Sequence, residues 1–247
     1  MIKLVENIGY KYILLFSSFY KELQFSYSCF IQTIKLKNYT PTTVNILIEQ
    51  IYIMAITVIP IFLMIAIIFG GIIFSSIINI MLEYKLDNFI QYFISFIISD
   101  FTPSFTALLI LLRSSVKVNT EISILKLNNK LENNVLTNVF IPRILSGIIS
   151  STLLSIFFIT IILISLYIST YLHPYIDLNT LNNLLLNFVN PIDIVLLICK
   201  SIIFGFILIV IPIYSGLKST SDYISNGILK LFVIIFVGEI LTLLLKL

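Results

Sequence analysis

The chain has 247 residues, of which 59% are hydrophobic and only 11% are charged. Globular domains usually contain about 45–50% apolar and about 25% charged residues, so this composition excludes a water-soluble fold of this size. The net charge of +3 is small and dispersed, which argues against a nucleic-acid partner. One histidine and two distant cysteines cannot build a bis-histidine haem site, a zinc site or an iron–sulfur cluster, so no cofactor is expected. These counts predict an integral membrane protein.

The N-terminal part of the chain has a different pattern from the rest. Over residues 8–34, apolar residues recur three or four positions apart, or at sums of these steps, and lysine, glutamate and glutamine interrupt them. This pattern predicts an amphipathic helix that lies in the membrane interface. The alternative is a cleavable targeting peptide, but neither a compact apolar block nor a small-residue cleavage site is clear. We therefore assign residues 1–50 to an interfacial segment and residues 51–247 to a transmembrane domain.

Five later stretches are long and apolar enough to span a bilayer core of about 30 Å, which needs about 20 helical residues. Helices are expected because an unpaired backbone amide in lipid costs several kcal/mol, and no alternating barrel pattern is visible. Lysine and arginine concentrate before the first stretch and after the second and fourth, which predicts an N-terminus on the cytoplasmic, stromal or matrix side. The predicted fold is all-α and multi-pass, with one interfacial helix and five spans at 51–82, 89–112, 144–172, 192–217 and 228–245.

Charged residues inside these stretches are candidates for function because they are unfavourable in lipid. Asp100 precedes Pro103, which removes one helical hydrogen bond and is expected to kink the second span. Asp100 could instead be a structural residue bonded to the backbone. Lys200 lies about 10 Å along its helix from Asp193, so water or a group on another helix is the better partner. We expect Lys200 to pair with Glu239 of the fifth span.

The order and spacing of two groups of residues resemble the MlaE-type permeases. These are the membrane subunits of ABC systems that move phospholipids, and they have relatives in plastids. The resemblance extends from about residue 40 to the end of the chain and agrees with an interfacial helix followed by five spans. The first group contains Asp100, Pro103, Ala107, Leu108, Leu109, Arg113 and Glu121, followed by Pro142 and Arg143. The second contains Asp193, Lys200, Ser201, Phe204 and Gly216.

The resemblance implies a non-enzymatic permease subunit that forms a homodimer and moves phospholipids or related lipids between membranes. A separate ABC ATPase subunit would supply the energy, in agreement with the absence of a phosphate-binding G-x-x-x-x-G-K-[ST] motif from this sequence. An MCE-type lipid-binding protein would exchange lipid on the opposite face. The ATPase would dock on the loop that carries Arg113, Glu121, Lys126 and Arg143. The intramembrane polar residues of the lipid path would be Asp100, Pro103, Asp193, Lys200 and Glu239.

Two segments depart from the family pattern. Residues 126–138 are rich in asparagine and lysine, are several residues shorter and lack an Asp-Pro pair, and residues 218–227 replace a glycine-rich segment. The alternative function is a hydrophobic organelle-encoded subunit or assembly factor of a respiratory complex, and a secondary transporter acting alone is a third. The scarcity of histidine argues against haem handling. The residue usage is typical of an AT-rich genome and favours the plastid inner envelope or another organelle membrane over a bacterial inner membrane.

Overall fold

The computed structural model describes residues 2–128, 139–171, 190–218 and 221–246. Within these ranges the chain is almost entirely helical and contains no β-strand, which confirms the predicted all-α class. Most of the asparagine-rich loop, residues 129–138, lies outside the described ranges, as does His173. The helices are α1 (Ile2–Ile34), α2 (Pro41–Glu83), α3 (Phe89–Leu127), α4 (Ile141–Tyr171), α5 (Pro191–Lys218) and α6 (Ser221–Lys246).

Four of the described helices are long and apolar enough to cross a membrane. They are α2, α3, α5 and the part of α4 from Ile141 to Ile168. The chain is therefore a membrane protein, as its composition predicts. The fifth predicted span, residues 228–245, lies within α6 and is helical; its crossing of the membrane stays a prediction.

The first span begins earlier than its apolar stretch. Pro41 occupies the first turn of α2, where its missing N–H is tolerated, and the Thr40 side chain accepts a hydrogen bond from the backbone N–H of Thr43 at 3.4 Å. The predicted start at residue 51 is therefore too late. The predicted boundary between residues 50 and 51 falls inside the helical segment Pro41–Met54.

α1 packs across the C-terminal half of α5. The Phe25 ring lies 5.4 Å from the Tyr214 ring, and the Phe30 ring lies 5.8 Å from the Phe206 ring, measured between centroids. Other large side chains of α1, including Tyr27, are exposed. The helix predicted over residues 8–34 is therefore present, and its position in the membrane interface stays a prediction.

α2 and α3 are interrupted by π-helical turns, which often occur at functional sites. In α3, one such turn contains Asp100 and a second contains Arg113. Pro103 lies just after the first, in the opening turn of the segment Thr102–Ile110. The irregularity expected from Pro103 is thus a widened turn before the proline. The π-helical turns are Phe69–Phe74, Ile97–Phe101 and Leu111–Ser115.

α4 lies at the centre of the described bundle and packs against α1, α2, α3 and α5. Its contact with α5 depends on two glycines: a Cβ atom added at Gly205 would lie 2.7 Å from the Gly147 carbonyl oxygen. A Cβ atom at Gly70 of α2 would lie 2.5 Å from the Ile162 carbonyl oxygen of α4. Small residues allow this close approach, which drives helix association in lipid. The contact between Gly147 and Gly205 fixes the position of α5 along α4, and α5 carries Asp193 and Lys200.

Candidate functional site

Three charged side chains from three helices meet within the bundle. The Lys200 ammonium of α5 bonds to the Asp100 carboxylate of α3, and its Nζ lies 3.0 Å from Oε2 of Glu239 on α6. The Lys200 and Asp100 side chains are only 6% and 4% exposed, and that of Glu239 is 15% exposed. We call these three residues the intramembrane cluster. One ammonium group therefore joins two carboxylates at a place largely shielded from the surroundings.

Two serines of α3 complete the bonding of the carboxylates. The Ser104 hydroxyl donates a hydrogen bond to Oε1 of Glu239, and the Ser99 hydroxyl donates one to Oδ2 of Asp100 at 3.1 Å. A buried charge is tolerated only when it is paired and hydrogen-bonded, since desolvation of each ion costs several kcal/mol. The bonding of this cluster meets that requirement on both carboxylates.

The structure confirms the predicted pair between Lys200 and Glu239 and shows a second partner of Lys200 that the sequence did not predict. Asp100, expected only as a kink-associated or functional residue, bonds to Lys200. The opposite charges of Asp100 and Lys200 in two predicted spans are consistent with a pair. Sequence spacing does not show whether the two residues lie at the same depth in the bundle. Asp193 is buried and accepts a hydrogen bond from the Ser95 hydroxyl at 2.8 Å. Lys200 thus bonds to groups on two other helices, as its separation from Asp193 predicts.

A second group of charges lies where α3 ends and α4 begins. Nη2 of Arg143 lies 2.7 Å from Oε2 of Glu121, so the pair joins the two ends of the connecting loop. The Arg143 side chain is 12% exposed and that of Glu121 is 37% exposed. Arg113 instead donates a hydrogen bond from Nη2 to the Thr57 hydroxyl of α2 at 3.4 Å. We call Arg113, Glu121, Lys126 and Arg143 the loop cluster.

The same end of α3 is bonded to α5. The Ser115 hydroxyl donates to the Leu208 carbonyl oxygen at 2.8 Å, and the Lys126 ammonium donates to the Leu217 carbonyl oxygen. The buried Asn119 amide donates to the Ser215 hydroxyl. These hydrogen bonds attach the C-terminal half of α3 to the C-terminal half of α5.

A small cavity of about 170 Å³ lies between α2 and this part of α3. Gln50, Arg113, Lys117 and Glu121 line it together with apolar side chains. In the described part of the chain, no group of three histidine, cysteine, aspartate or glutamate residues could hold a metal ion. Ion pairs and hydrogen bonds hold the described residues of both clusters.

These features define a polytopic helical membrane protein with paired charges inside its spans. A family model described as Permease MlaE matches residues 47–242, which is more than three quarters of the chain and includes both clusters. The chain belongs to the MlaE permease family. The family indicates a transport permease rather than an enzyme. No curated protein matches the chain.

Proposed function

We propose that this chain is the membrane subunit of an ABC transporter that moves phospholipids or related lipids between membranes. Two copies would form a homodimer, a separate ATPase subunit would dock on the loop cluster, and an MCE-type lipid-binding protein would act on the opposite face. Membership of the MlaE permease family supports this proposal over a respiratory-complex subunit. Nucleic acid and cofactors have no part in it.

One observation carries the proposal: a single helix holds residues of both clusters. Asp100 and Glu121 lie on α3, separated by about 30 Å at the usual rise of 1.5 Å per residue. The bonds of Ser115 and Lys126 attach the same helix to α5, which carries Lys200. A displacement at the loop cluster would therefore move the two helices whose charges meet inside the membrane. This is a physical route by which ATP hydrolysis on a partner acts on the lipid path.

The loop cluster also has the surface that a docking partner would cover. Leu127 and Ile124, at the end of α3, are 74% and 55% exposed. Exposed apolar side chains with charged neighbours are typical of an interaction surface. The Glu121–Arg143 pair holds the two sides of the loop together beside them. Arg113, Glu121, Lys126 and Arg143 are thus our proposed coupling residues.

The intramembrane cluster supplies polar groups for a lipid headgroup. The positive charge of Lys200 would attract a lipid phosphate. Glu239 is its more exposed partner and would release the ammonium if α6 moved. Asp100 would hold Lys200 in place during that exchange, because it is the more deeply buried carboxylate. Pro103 and Asp193 would shape and support the neighbouring turns of α3 and α5.

We propose an organelle membrane as the location, with the plastid inner envelope first and a bacterial inner membrane as the alternative. The sequence composition supports this order. The family and the four long apolar helices support a membrane in general.

Site-specific crosslinking tests the proposed ATPase contact. A photoreactive amino acid replaces Leu127, and a matched variant carries it at Tyr92, which is also 74% exposed but lies near the opposite end of α3. We expect a crosslink from position 127 to a subunit that also binds a photoreactive ATP analogue, and no such product from position 92. A chain that yields no ATP-binding partner from position 127, or equal yields from both positions, contradicts the proposal.

A further inference from the structure

An open apolar groove runs along the outside of the bundle, between α1, α5 and α6. Its volume is about 660 Å³, within the range of about 300–1,000 Å³ that is usual for small-molecule sites. Leu23 and Phe30 of α1, Ile203 and Phe206 of α5, and Val233 of α6 contribute to its walls. None of the three residues of the intramembrane cluster lines it. The groove is therefore a feature separate from that cluster.

One ion pair interrupts the apolar lining. Nζ of Lys230 lies 3.0 Å from Oε2 of Glu22, and these are the two charged residues among the described residues that line the groove. The Lys230 side chain is 49% exposed, whereas that of Glu22 is 11% exposed. An ammonium group has three donors, so Lys230 can keep its bond to Glu22 and still bind an anion from outside. An apolar groove with a half-exposed cation matches a molecule that has an apolar chain and an anionic head.

We propose that this groove binds one acyl chain of an anionic glycerophospholipid from the surrounding bilayer, with the lipid phosphate bonded to Lys230. The charge at Lys230 complements the phosphate, and a lysine inside a helix can extend its ammonium towards the headgroup level. The proposal rests on the proposed function only in that the ligand is a membrane lipid. It assigns a lipid site that lies outside the intramembrane cluster.

A second copy of this chain fits the groove less well than a lipid does. In a two-fold symmetric dimer the same patch of each copy faces the other across the axis. Two copies of a concave groove would then face each other and enclose an unfilled space, and tightly packed interfaces avoid such voids. An acyl chain, in contrast, can follow the groove between Ile203 and Val233.

The absence of tryptophan from the chain makes a direct test possible. Phe206→Trp places a single fluorophore in the groove wall, and Phe236→Trp places one on α6 outside the groove. The two positions have similar depth, because a Cβ atom at Gly238 would lie 3.4 Å from the Phe204 ring in the antiparallel pair α5 and α6. Each full-length variant is reconstituted in phosphatidylcholine bilayers that contain a small fraction of dibrominated phosphatidylglycerol, which quenches tryptophan on contact.

We expect the quenching of Phe206→Trp to correspond to a local fraction of brominated lipid about five times the bulk fraction. This factor is the preference for an anionic lipid that one lysine near the membrane surface provides. The quenching of Phe236→Trp should correspond to the bulk fraction of brominated lipid. Lys230→Gln, added to Phe206→Trp, should remove the enrichment, and dibrominated diacylglycerol, which lacks the phosphate, should never show it. The assay measures binding without an ATPase or transport, so its failure is distinguishable from a failure of the proposed function.

Three results would overturn the proposal. The first is equal quenching of Phe206→Trp and Phe236→Trp. The second is enrichment that Lys230→Gln leaves unchanged. The third is protection of Phe206→Trp from every brominated lipid in a dimeric sample, which would make the groove a contact between copies of the chain.

Discussion

The two charged clusters use the same chemistry in different surroundings. In the intramembrane cluster the side chains are 4–15% exposed, and Lys200 has two carboxylate partners. In the loop cluster the Glu121–Arg143 pair is 37% and 12% exposed, and its carboxylate is accessible from outside the bundle. Loss of one member of a buried pair usually costs about 3–5 kcal/mol, and exposed pairs contribute about 0–1 kcal/mol. The Glu121–Arg143 pair lies between these limits, because its guanidinium is largely buried and its carboxylate is partly exposed. The comparison predicts that breaking the inner cluster at one residue is costly, whereas the more accessible outer pair can change at a smaller cost, as the docking role that we propose for it requires.

The largest effect is expected at Lys200. Lys200→Met leaves the Asp100 and Glu239 carboxylates buried without their shared cation, so the free energy of unfolding should fall by about 3–5 kcal/mol in an SDS titration of the full chain. The triple variant Asp100→Asn, Lys200→Met, Glu239→Gln removes all three charges and should recover most of the loss. Equal losses in the single and triple variants would show that the charges are not paired in the membrane.

The next effect concerns the packing that aligns the clusters. Gly205 lies little more than one turn after Lys200, and an added Cβ atom would lie 2.7 Å from a backbone oxygen of α4. Gly205→Ala should therefore lower the free energy of unfolding by about 1–3 kcal/mol. Gly71→Ala is the matched control, because the nearest atom would lie 3.9 Å away; a change there as large as at Gly205 would contradict the described contact between α4 and α5.

A double-mutant cycle measures the predicted pair itself. Lys200→Ala and Glu239→Ala, made singly and together, should show a coupling free energy of about 1 kcal/mol or more, since contacting residues are not additive. The corresponding cycle for Glu121 and Arg143 should give a smaller value. Additive losses at Lys200 and Glu239 would show that these two residues do not interact. A larger coupling free energy for Glu121 and Arg143 would show that the outer pair is the stronger one.

The smallest effect on stability is expected at Glu121. Glu121→Gln keeps the side-chain shape and one hydrogen-bond acceptor for the largely buried Arg143 guanidinium, so the free energy of unfolding should fall by only about 1 kcal/mol. In the reconstituted transporter, the same change should sharply reduce the yield of the crosslink from position 127, because Arg143 loses its partner beside the docking surface. A strongly destabilised chain would show that Glu121 has a purely structural role. An unchanged crosslink yield would show that Glu121 has no role in docking.

The fold was largely predictable because a membrane imposes length and apolarity on each crossing helix. The apolar stretches gave the four long helices, but the first stretch did not show that α2 begins at Pro41. Thr40 followed by Pro41 was a usable signal, since threonine caps helices and proline is favoured in their first turn. The π-helical turns around Asp100 and Arg113 were not predictable from periodicity, because they depend on how α3 packs against its neighbours.

The site was predictable only in part. Lys200 and Glu239 could be paired because isolated opposite charges in lipid require partners. The bond from Lys200 to Asp100 and the pair between Glu121 and Arg143 depend on the relative levels and rotations of α3, α4 and α5. Those levels are set by close contacts such as that between Gly147 and Gly205, which a single sequence does not specify.

The most direct measurement is ATP-dependent lipid transfer by the purified complex of this chain with the ATPase subunit that we propose as its partner. Liposomes that contain the complex and a fluorescent phospholipid are mixed with acceptor liposomes, with or without ATP, and compared with liposomes that carry the triple variant at Asp100, Lys200 and Glu239. The account predicts transfer that requires ATP and is lost in the triple variant, although the ATPase stays bound. Transfer that proceeds equally without ATP, or that the triple variant retains in full, would contradict it.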